Sequence, residues 1–361
     1  MSAMNHVDDR FFRLGLVLAG GGSRIRRLVA EVAVEPGLEE ALAETGAPRA
    51  LLRTAHDLAQ DQANTVVDRV TRAGWRWMIP GDDDYPDILA ATADPPLGLF
   101  ARGKLDSGPA VAIVGARQAT PYGLQVARLL GEELGGGGVT VVSGMARGVD
   151  EAAHRGALDA GGRSWAVWGT GPDRIYPSEH GDLAEELAEA GALVTEYLPG
   201  TPPRRHHFPE RNRIIAGLVQ AVVVVEAAAR SGALITARLA MEEGREVMAV
   251  PGNIFSKVSV GPNTLLRVGA RPLLTPRDLF DAIGLQSPTA AAATADRGLL
   301  RHIKSGESLT VDEIADRADM EISAVLGDLL ELELSGEISR QEDGRFMRVR
   351  PPRVGGEGPA G

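Results

Sequence analysis

Short, almost unbroken apolar runs rich in β-branched residues recur along the middle of the chain, at 111–114 (VAIV), 139–142 (VTVV), 165–168 (WAVW), 193–195 (LVT), 222–225 (VVVV), 247–250 (VMAV) and 273–274 (LL). They do not alternate apolar with polar positions, so each reads as a strand buried on both faces. Helix-length amphipathic segments lie between them, at 123–134, 149–160, 182–190, 211–218, 235–243 and 262–268. Strands of this kind alternating with helices predict an α/β fold, a doubly wound, Rossmann-like parallel sheet with helices on both faces. Ligands of such sheets bind beyond the carboxyl ends of the strands.

The flanking segments follow other periods. Residues 8–73 read as helices, with the glycine hairpin Gly20-Gly21-Gly22 between the first two and later helices predicted at 38–44 and 59–72. Helices joined in this way form either a helix-hairpin-helix, which offers backbone N–H groups to a phosphate backbone, or a tight turn in a small bundle. Residues 285–296 are a small-residue linker. Beyond it, a helix, two further helices at 311–317 and 322–334, and two strands at 338–341 and 345–349 flanking Glu342-Asp343-Gly344 predict a winged helix. The expected organisation is therefore an N-terminal helical domain (1–73), a Rossmann-like domain (74–284), a linker (285–296), a winged helix (297–350) and a disordered tail (351–361).

Charge narrows the function classes. The formal net charge is -11 over 361 residues, which argues against a protein that coats nucleic acid everywhere or lies on an anionic membrane. Any polyanion must meet a focused basic site. Residues 202–213 supply one, with Arg204, Arg205, Arg211 and Arg213 against the single acid Glu210. There is no cysteine, which removes disulfides, thiol catalysis and thiolate metal sites. No stretch offers 18 consecutive apolar residues, so a soluble, cytoplasmic protein with no membrane partner is expected.

The strand ends share one chemistry. Gly115 and Arg117 follow the first strand, with Thr120 opening the next helix; Ser143, Gly144, Arg147 and Gly148 follow the second. Arg205, His207, Phe208, Arg211, Asn212 and Arg213 surround a later helix start, and Ser231-Gly232 opens the one after that. The loop near Pro251-Gly252-Asn253 converges on the same edge. Glycines let backbone N–H groups approach a phosphate, arginines fork onto it, and helix starts add a positive dipole end. Phe208 is the one aromatic expected nearby, so little base stacking is anticipated. No Walker motif occurs, and Gly169-Thr170-Gly171-Pro172 lacks the third glycine of a dinucleotide fingerprint. No cofactor, metal or catalytic residue is therefore assigned. Asp150, His154 and Glu226 read as structural before catalytic.

These residues resemble the DprA/Smf family of DNA-processing proteins. The resemblance runs from about residue 75 to 284. It rests on Gly115-Ala-Arg117 with Thr120-Pro-Tyr-Gly123, Ser143-Gly-Met-Ala-Arg-Gly-Val-Asp150, Tyr176-Pro177, the segment 208–218, Ser231-Gly232-Ala-Leu-Ile-Thr236 and Ala249-Val-Pro-Gly252. It implies a non-enzymatic protein that binds single-stranded DNA, shields incoming strands in natural transformation, helps load the RecA recombinase and dimerises through the Rossmann-like domain. Arg117 falls at the arginine that grips phosphate. An apolar sheet edge at 272–274, with Leu265, Leu266 and Val268 before it, is the expected two-fold contact. Two other classes stay open: a nucleotide-binding enzyme of the lysine-decarboxylase-like phosphoribohydrolase type, and a regulator reading DNA with its winged helix.

Overall fold

The computed structural model describes residues 8–32, 37–286, 299–303, 307–334, 338–341 and 343–348. The expected tail, and the expected linker after residue 286, lie outside them. Contacts divide the chain into two units, Met1–Pro288 and Thr289–Gly361.

The first unit is built on a sheet of β1 (Arg76–Met78), β2 (Leu99–Gly103), β3 (Ala110–Val114), β4 (Thr140–Ser143), β5 (Ser164–Val167), β6 (Ala192–Thr195), β7 (Ala221–Val224), β8 (Glu246–Ala249) and β9 (Arg271–Pro272), in the order β1-β2-β6-β5-β4-β3-β7-β8-β9. From β6 to β9 every pairing is parallel, whereas β2 runs antiparallel to β6 and β1 antiparallel to β2. The two antiparallel strands were not predicted. One is three residues long, and the other ends in Arg102-Gly103, so neither carries the unbroken apolar signature of the parallel strands.

The helices are α1 (Asp9–Leu18), α2 (Ser23–Glu31), α3 (Leu38–Glu44), α4 (Arg49–Asp61), α5 (Ala63–Arg72), α6 (Asp87–Ala90), α7 (Pro121–Gly136), α8 (Val149–Asp159), α9 (Gly181–Ala190), α10 (His207–Gly217), α11 (Gly232–Glu242), α12 (Val260–Arg267) and α13 (Arg277–Ala282). Strand β3 shows how the sheet is held. Val111 and Ile113 enter the core beneath α7, α8 and α13, while Ala110, Ala112 and Val114 enter the core beneath α10, α11 and α12. A one-residue slip would exchange small and large residues between the two cores, at roughly 2 kcal/mol per displaced Val or Ile. On the first of these faces α7 and α8 touch backbone to backbone: a Cβ on Gly156 would sit 2.1 Å from the Arg128 carbonyl oxygen.

The chain lays down β3 to β6 in one direction, then returns through α10 to place β7 beside β3, with Val111 opposite Ala221 and Val114 opposite Val224. The boundary between β3 and β7 is therefore the topological switch point of the sheet.

Among the N-terminal helices, the predicted 59–72 segment is two helices broken at Gln62, whose φ is -122°. The break turns the apolar face from the cluster of Leu52 and Ala55 to that of Ala63 and Val70 against β2 and α9. In the glycine hairpin between α1 and α2, the Gly20 N–H donates to the Val17 carbonyl and the Gly21 N–H to that of Leu16. Those two donors are spent closing the turn.

The second unit has a small sheet, β10 (Ser308–Leu309), β11 (Ile338–Arg340) and β12 (Phe346–Arg348), in the order β10-β12-β11, with helices α14 (Val311–Ala318) and α15 (Ile322–Leu334). Thr310 and Glu313 form a capping box at the start of α14. Leu309, Ile314, Val325, Leu329, Ile338 and Phe346 make the core. The helix predicted ahead of these is described only as a 3-10 turn, Leu300–His302, the residues before 299 being outside the described set.

An ion-pair cluster fastens the N-terminal helices to the sheet. Arg26 on α2 donates twice to the Asp94 carboxylate, at 2.8 and 2.9 Å. Arg213 on α10 donates to the Asp94 carbonyl at 2.8 Å and pairs with Glu196. Burial works to raise the Asp94 pKa, but the hydrogen bonds from Arg26 and the charges of Arg213 and Arg26 hold it below the usual range. A depressed carboxyl pKa contributes stability above the unfolded value of about 3.9 and loses it as pH falls through the folded value. Asp94→Asn is expected to destabilise the protein by about 3 kcal/mol at neutral pH. Urea unfolding at a series of pH values checks this: the gap to wild type should shrink below about pH 4, and a gap constant down to pH 3 would contradict the assignment.

Candidate nucleic-acid interface

The carboxyl ends of β3, β4 and β7 and the first turns of α10 and α11 surround a cleft of about 810 Å³ at the switch point. Its floor is set by Arg211. This side chain is 4% exposed, and its guanidinium donates to the Gly144 carbonyl at 3.1 Å and to the Asn212 side chain at 3.2 Å. Asn212 in turn donates to the Gly232 carbonyl at 3.2 Å. One chain of hydrogen bonds thus joins the loop after β4 to α10 and to the start of α11. A Cβ at Gly144 would lie 2.4 Å from a guanidinium nitrogen of Arg211, so a side chain there would push the guanidinium from this position.

Burial pulls the Arg211 pKa down to about 10, with the nearby Asp150 acting in the opposite sense. Arg211 still carries its charge at neutral pH. Burial likewise raises the Asp150 pKa, opposed by Arg211 and by N–H groups of Ala146 and Gly144 that the carboxylate accepts. The walls add Arg117, Arg205, Arg230 and Arg238, so the lining holds five arginines and one acid, Asp150. Arg238 pairs with Glu242 on its own helix. No ion pair among the described residues engages Arg117, Arg205 or Arg230, and all three are exposed. Ser231 caps α11, its hydroxyl accepting from the Ala233 N–H at 3.3 Å, so the positive end of that helix opens into the same space.

One wall is aromatic. Phe208 lies 5.3 Å from Tyr176, centroid to centroid, and the Arg117 guanidinium sits 5.1 Å over the Phe208 ring. The anticipated lone aromatic is therefore a pair, half-exposed, with a cation above it.

Of the residues singled out in the sequence, Gly115, Arg117, Arg205, Phe208, Arg211, Asn212, Ser231 and Gly232 line this cleft. Gly144 and Ser143 stand behind it, the Ser143 hydroxyl donating to the Ile113 carbonyl at 2.6 Å. Gly148 shapes the loop: its φ is +82° and a Cβ would lie 2.4 Å from the Ala116 carbonyl oxygen. Four others are engaged elsewhere. Thr120 donates through its N–H and hydroxyl to Glu226, at 2.8 and 2.5 Å. Arg147 pairs with Glu179, His207 stacks on Tyr197 with ring centroids 4.3 Å apart, and Arg213 belongs to the Asp94–Glu196 cluster. Gly252 is held by Asn263 through two hydrogen bonds, and its loop does not line the cleft. Tyr176, Arg230 and Arg238 were not among the sequence candidates, although Arg230 directly precedes the Ser231 cap.

The groups weighed as catalytic have structural partners. Both Glu226 oxygens are taken by Thr120. His154 is fully buried, hydrogen-bonded to Ser164 at 2.7 Å, and burial drives its pKa to about 3, so its imidazole is neutral. Among the described residues no cluster of three or more His, Asp or Glu could hold a metal ion, and no helix is long and apolar enough to cross a membrane.

Comparison with known proteins agrees with this architecture. Residues 76–284 match the family model described as DNA recombination-mediator protein A, and residues 285–344 match the DprA winged helix domain. Protein Smf of Escherichia coli is 41% identical over 292 residues, spanning 76% of this chain and 77% of that protein. A putative DNA-processing protein DprA of Mycobacterium tuberculosis is 40% identical over 333 residues, 85% of this chain and 83% of that protein. Among solved structures, DNA-processing protein A of Streptococcus pneumoniae superposes with a TM-score of 0.66 at 32% identity, covering 75% of this chain and 97% of that one. The Helicobacter pylori protein, whose structure is described as revealing a single-stranded DNA binding mode, gives a TM-score of 0.52 at 28% identity, over 58% of this chain and 95% of that one. Matching both family models in chain order and related to these proteins at about 40% identity, the chain belongs to the DprA/Smf family of DNA-processing proteins.

Proposed function

We propose that this protein binds single-stranded DNA in the cleft at the β3–β7 switch point, shields the strand during transformation and recombination in the cytoplasm, and hands it to RecA without acting on it chemically. The observation that carries the reading is the set of Arg117, Arg205 and Arg230 around a buried Arg211, with no acidic partner among the described residues on the first three. Such cations are available to phosphates. The Phe208–Tyr176 pair favours a single strand over a duplex, because only an unpaired base can stack on it. The single-stranded DNA binding named for the Helicobacter relative supports the same choice. Against a nucleotide-cleaving enzyme stands the lack of a free carboxylate in the cleft: Asp150, its one acid, is buried on two backbone N–H groups. A protein that binds strands yet leaves the rate of RecA filament growth on them unchanged would remove RecA from this reading.

Phosphate contacts position a strand without reading it. If about four phosphates are neutralised per protomer, log K should fall with log salt at a slope of roughly -3. Arg117→Ala should weaken binding to every homopolymer alike, by about tenfold, and flatten that slope by roughly 0.7. Fluorescence anisotropy across a salt series checks both, and wild-type affinity in the variant at moderate salt would remove Arg117 from the interface.

Stacking has its own signature. Phe208→Ala should cost about 1–3 kcal/mol on oligothymidine and far less on an abasic strand of equal length. Equal losses on both would mean that Phe208 acts only by holding Arg117 in place.

We further propose a dimer through the edge at β9. Val268 and Leu274 are 66% and 74% exposed there, whereas Leu265 is buried and Leu266 packs on the core. The two-residue strand ends at Pro272, which has no N–H to donate, so side chains would carry the contact. Val268→Glu should convert the dimer to monomer in light scattering. A wild-type monomer at micromolar concentration, or an unaltered dimer in the variant, would overturn this.

A further inference from the structure

The exposed face of α15 is apolar. Val325 and Leu329 point into the core of the second unit, but Ile322, Leu326 and Leu330 are 48%, 49% and 57% exposed. Their spacing of four places them in one row. Ser323 and Gly327 lie beside that row, both exposed, and a Cβ on Gly327 would meet nothing within 4 Å. A mid-helix glycine costs about 1 kcal/mol relative to alanine. Here it leaves a shallow place where a second helix could approach closely.

Charge decides what kind of partner fits. From residue 321 to 334 there is no lysine or arginine, and the acids are Glu321, Asp328, Glu331 and Glu333. Glu333, about three turns on from the row's start on the same face, carries it toward the negative carbonyl end of the helix. Three of the described arginines of this unit are placed elsewhere: Arg317 pairs with Glu307, Arg345 with Glu313, and Arg340 lies over Phe346. A DNA phosphate backbone would be repelled by this helix. A second copy is also disfavoured, since its own α15 carries no lysine or arginine to set against these acids.

We propose that the exposed face of α15 is a docking surface for a basic amphipathic helix of a partner protein, with apolar residues four apart against Ile322, Leu326 and Leu330 and a lysine or arginine against Glu333. The winged helix is then a protein-binding module. This does not depend on the DNA reading of the cleft.

The probe is a synthetic labelled helix of about 18 residues with leucines four apart flanked by lysines, titrated with the intact protein and compared with a twin bearing glutamate for lysine. The lysine peptide should bind at least about tenfold more tightly than its twin. Leu326→Ser should weaken it by about tenfold and Glu333→Gln by about threefold, while oligothymidine affinity stays at the wild-type value. Both positions are exposed, so melting should be unaltered, and Ile322→Ser provides an independent variant should Leu326→Ser unfold. Equal binding of the twins, or no effect of either apolar substitution, would overturn the proposal. So would displacement of the peptide by duplex DNA, or dissociation of an assembly of the chain by Leu326→Ser.

Discussion

The buried guanidinium of Arg211 is the constraint on which the cleft depends. A cation at 4% exposure is tolerated only when its donors find acceptors and an opposite charge lies near. Arg211 meets these terms through the Gly144 carbonyl, the Asn212 side chain and the nearby Asp150. Gly144 and Asp150 belong to the loop after β4 and the start of α8, and Asn212, the next residue on α10, passes the chain of bonds on to Gly232, so satisfying this one side chain ties the β4 loop to α10 and the start of α11. Asp150 is itself tied down by the N–H groups of Gly144 and Ala146. The wall residues therefore stand on a rigid base, and a strand entering the cleft would not have to order it.

Topology explains why this base lies where it does. Because the chain returns from β6 to place β7 beside β3, the loops leaving β3 and β7 diverge and open a crevice. Thr120 and Glu226 tie the two sides together behind it. In the sequence a glutamate at the end of a buried strand reads as structural before catalytic, and here its carboxylate spans the switch point as a brace.

How much of this was legible varied with how local the cause was. The parallel strands were readable because burial on both faces leaves an unbroken apolar run. The helix starts after β3, β6 and β7 were readable from Thr120, the arginine-rich segment 204–213 and Ser231. The antiparallel β1 and β2 were not, being short and partly polar, nor was the break at Gln62, which depends on which core each helical face meets. The site shows the same limit. Arg211 and Arg213 are two residues apart on α10 and look equivalent as a count of charge. Two positions apart on a helix do not share a face, so Arg211 turns to the cleft and Arg213 to Asp94 and Glu196. Tyr176 was missed for the converse reason: only the fold brings it to Phe208.

The distribution of paired and unpaired arginines completes the physical picture. Arg26, Arg69, Arg102, Arg155 and Arg213 are each held by a carboxylate, so their charge is spent on tying elements together. At the cleft, Arg117, Arg205 and Arg230 have none among the described residues. In a chain of net charge -11, the surrounding surface would repel a polyanion at long range while the proposed site would attract it at contact. Screening shortens the first effect more than the second, because the cleft pairs would be partly desolvated. Moderate salt should therefore sharpen the contrast between cleft and surface even as it weakens binding overall. On the proposed function, an acidic protein of this kind would confine a strand to one track, where a basic one would hold it wherever they touched.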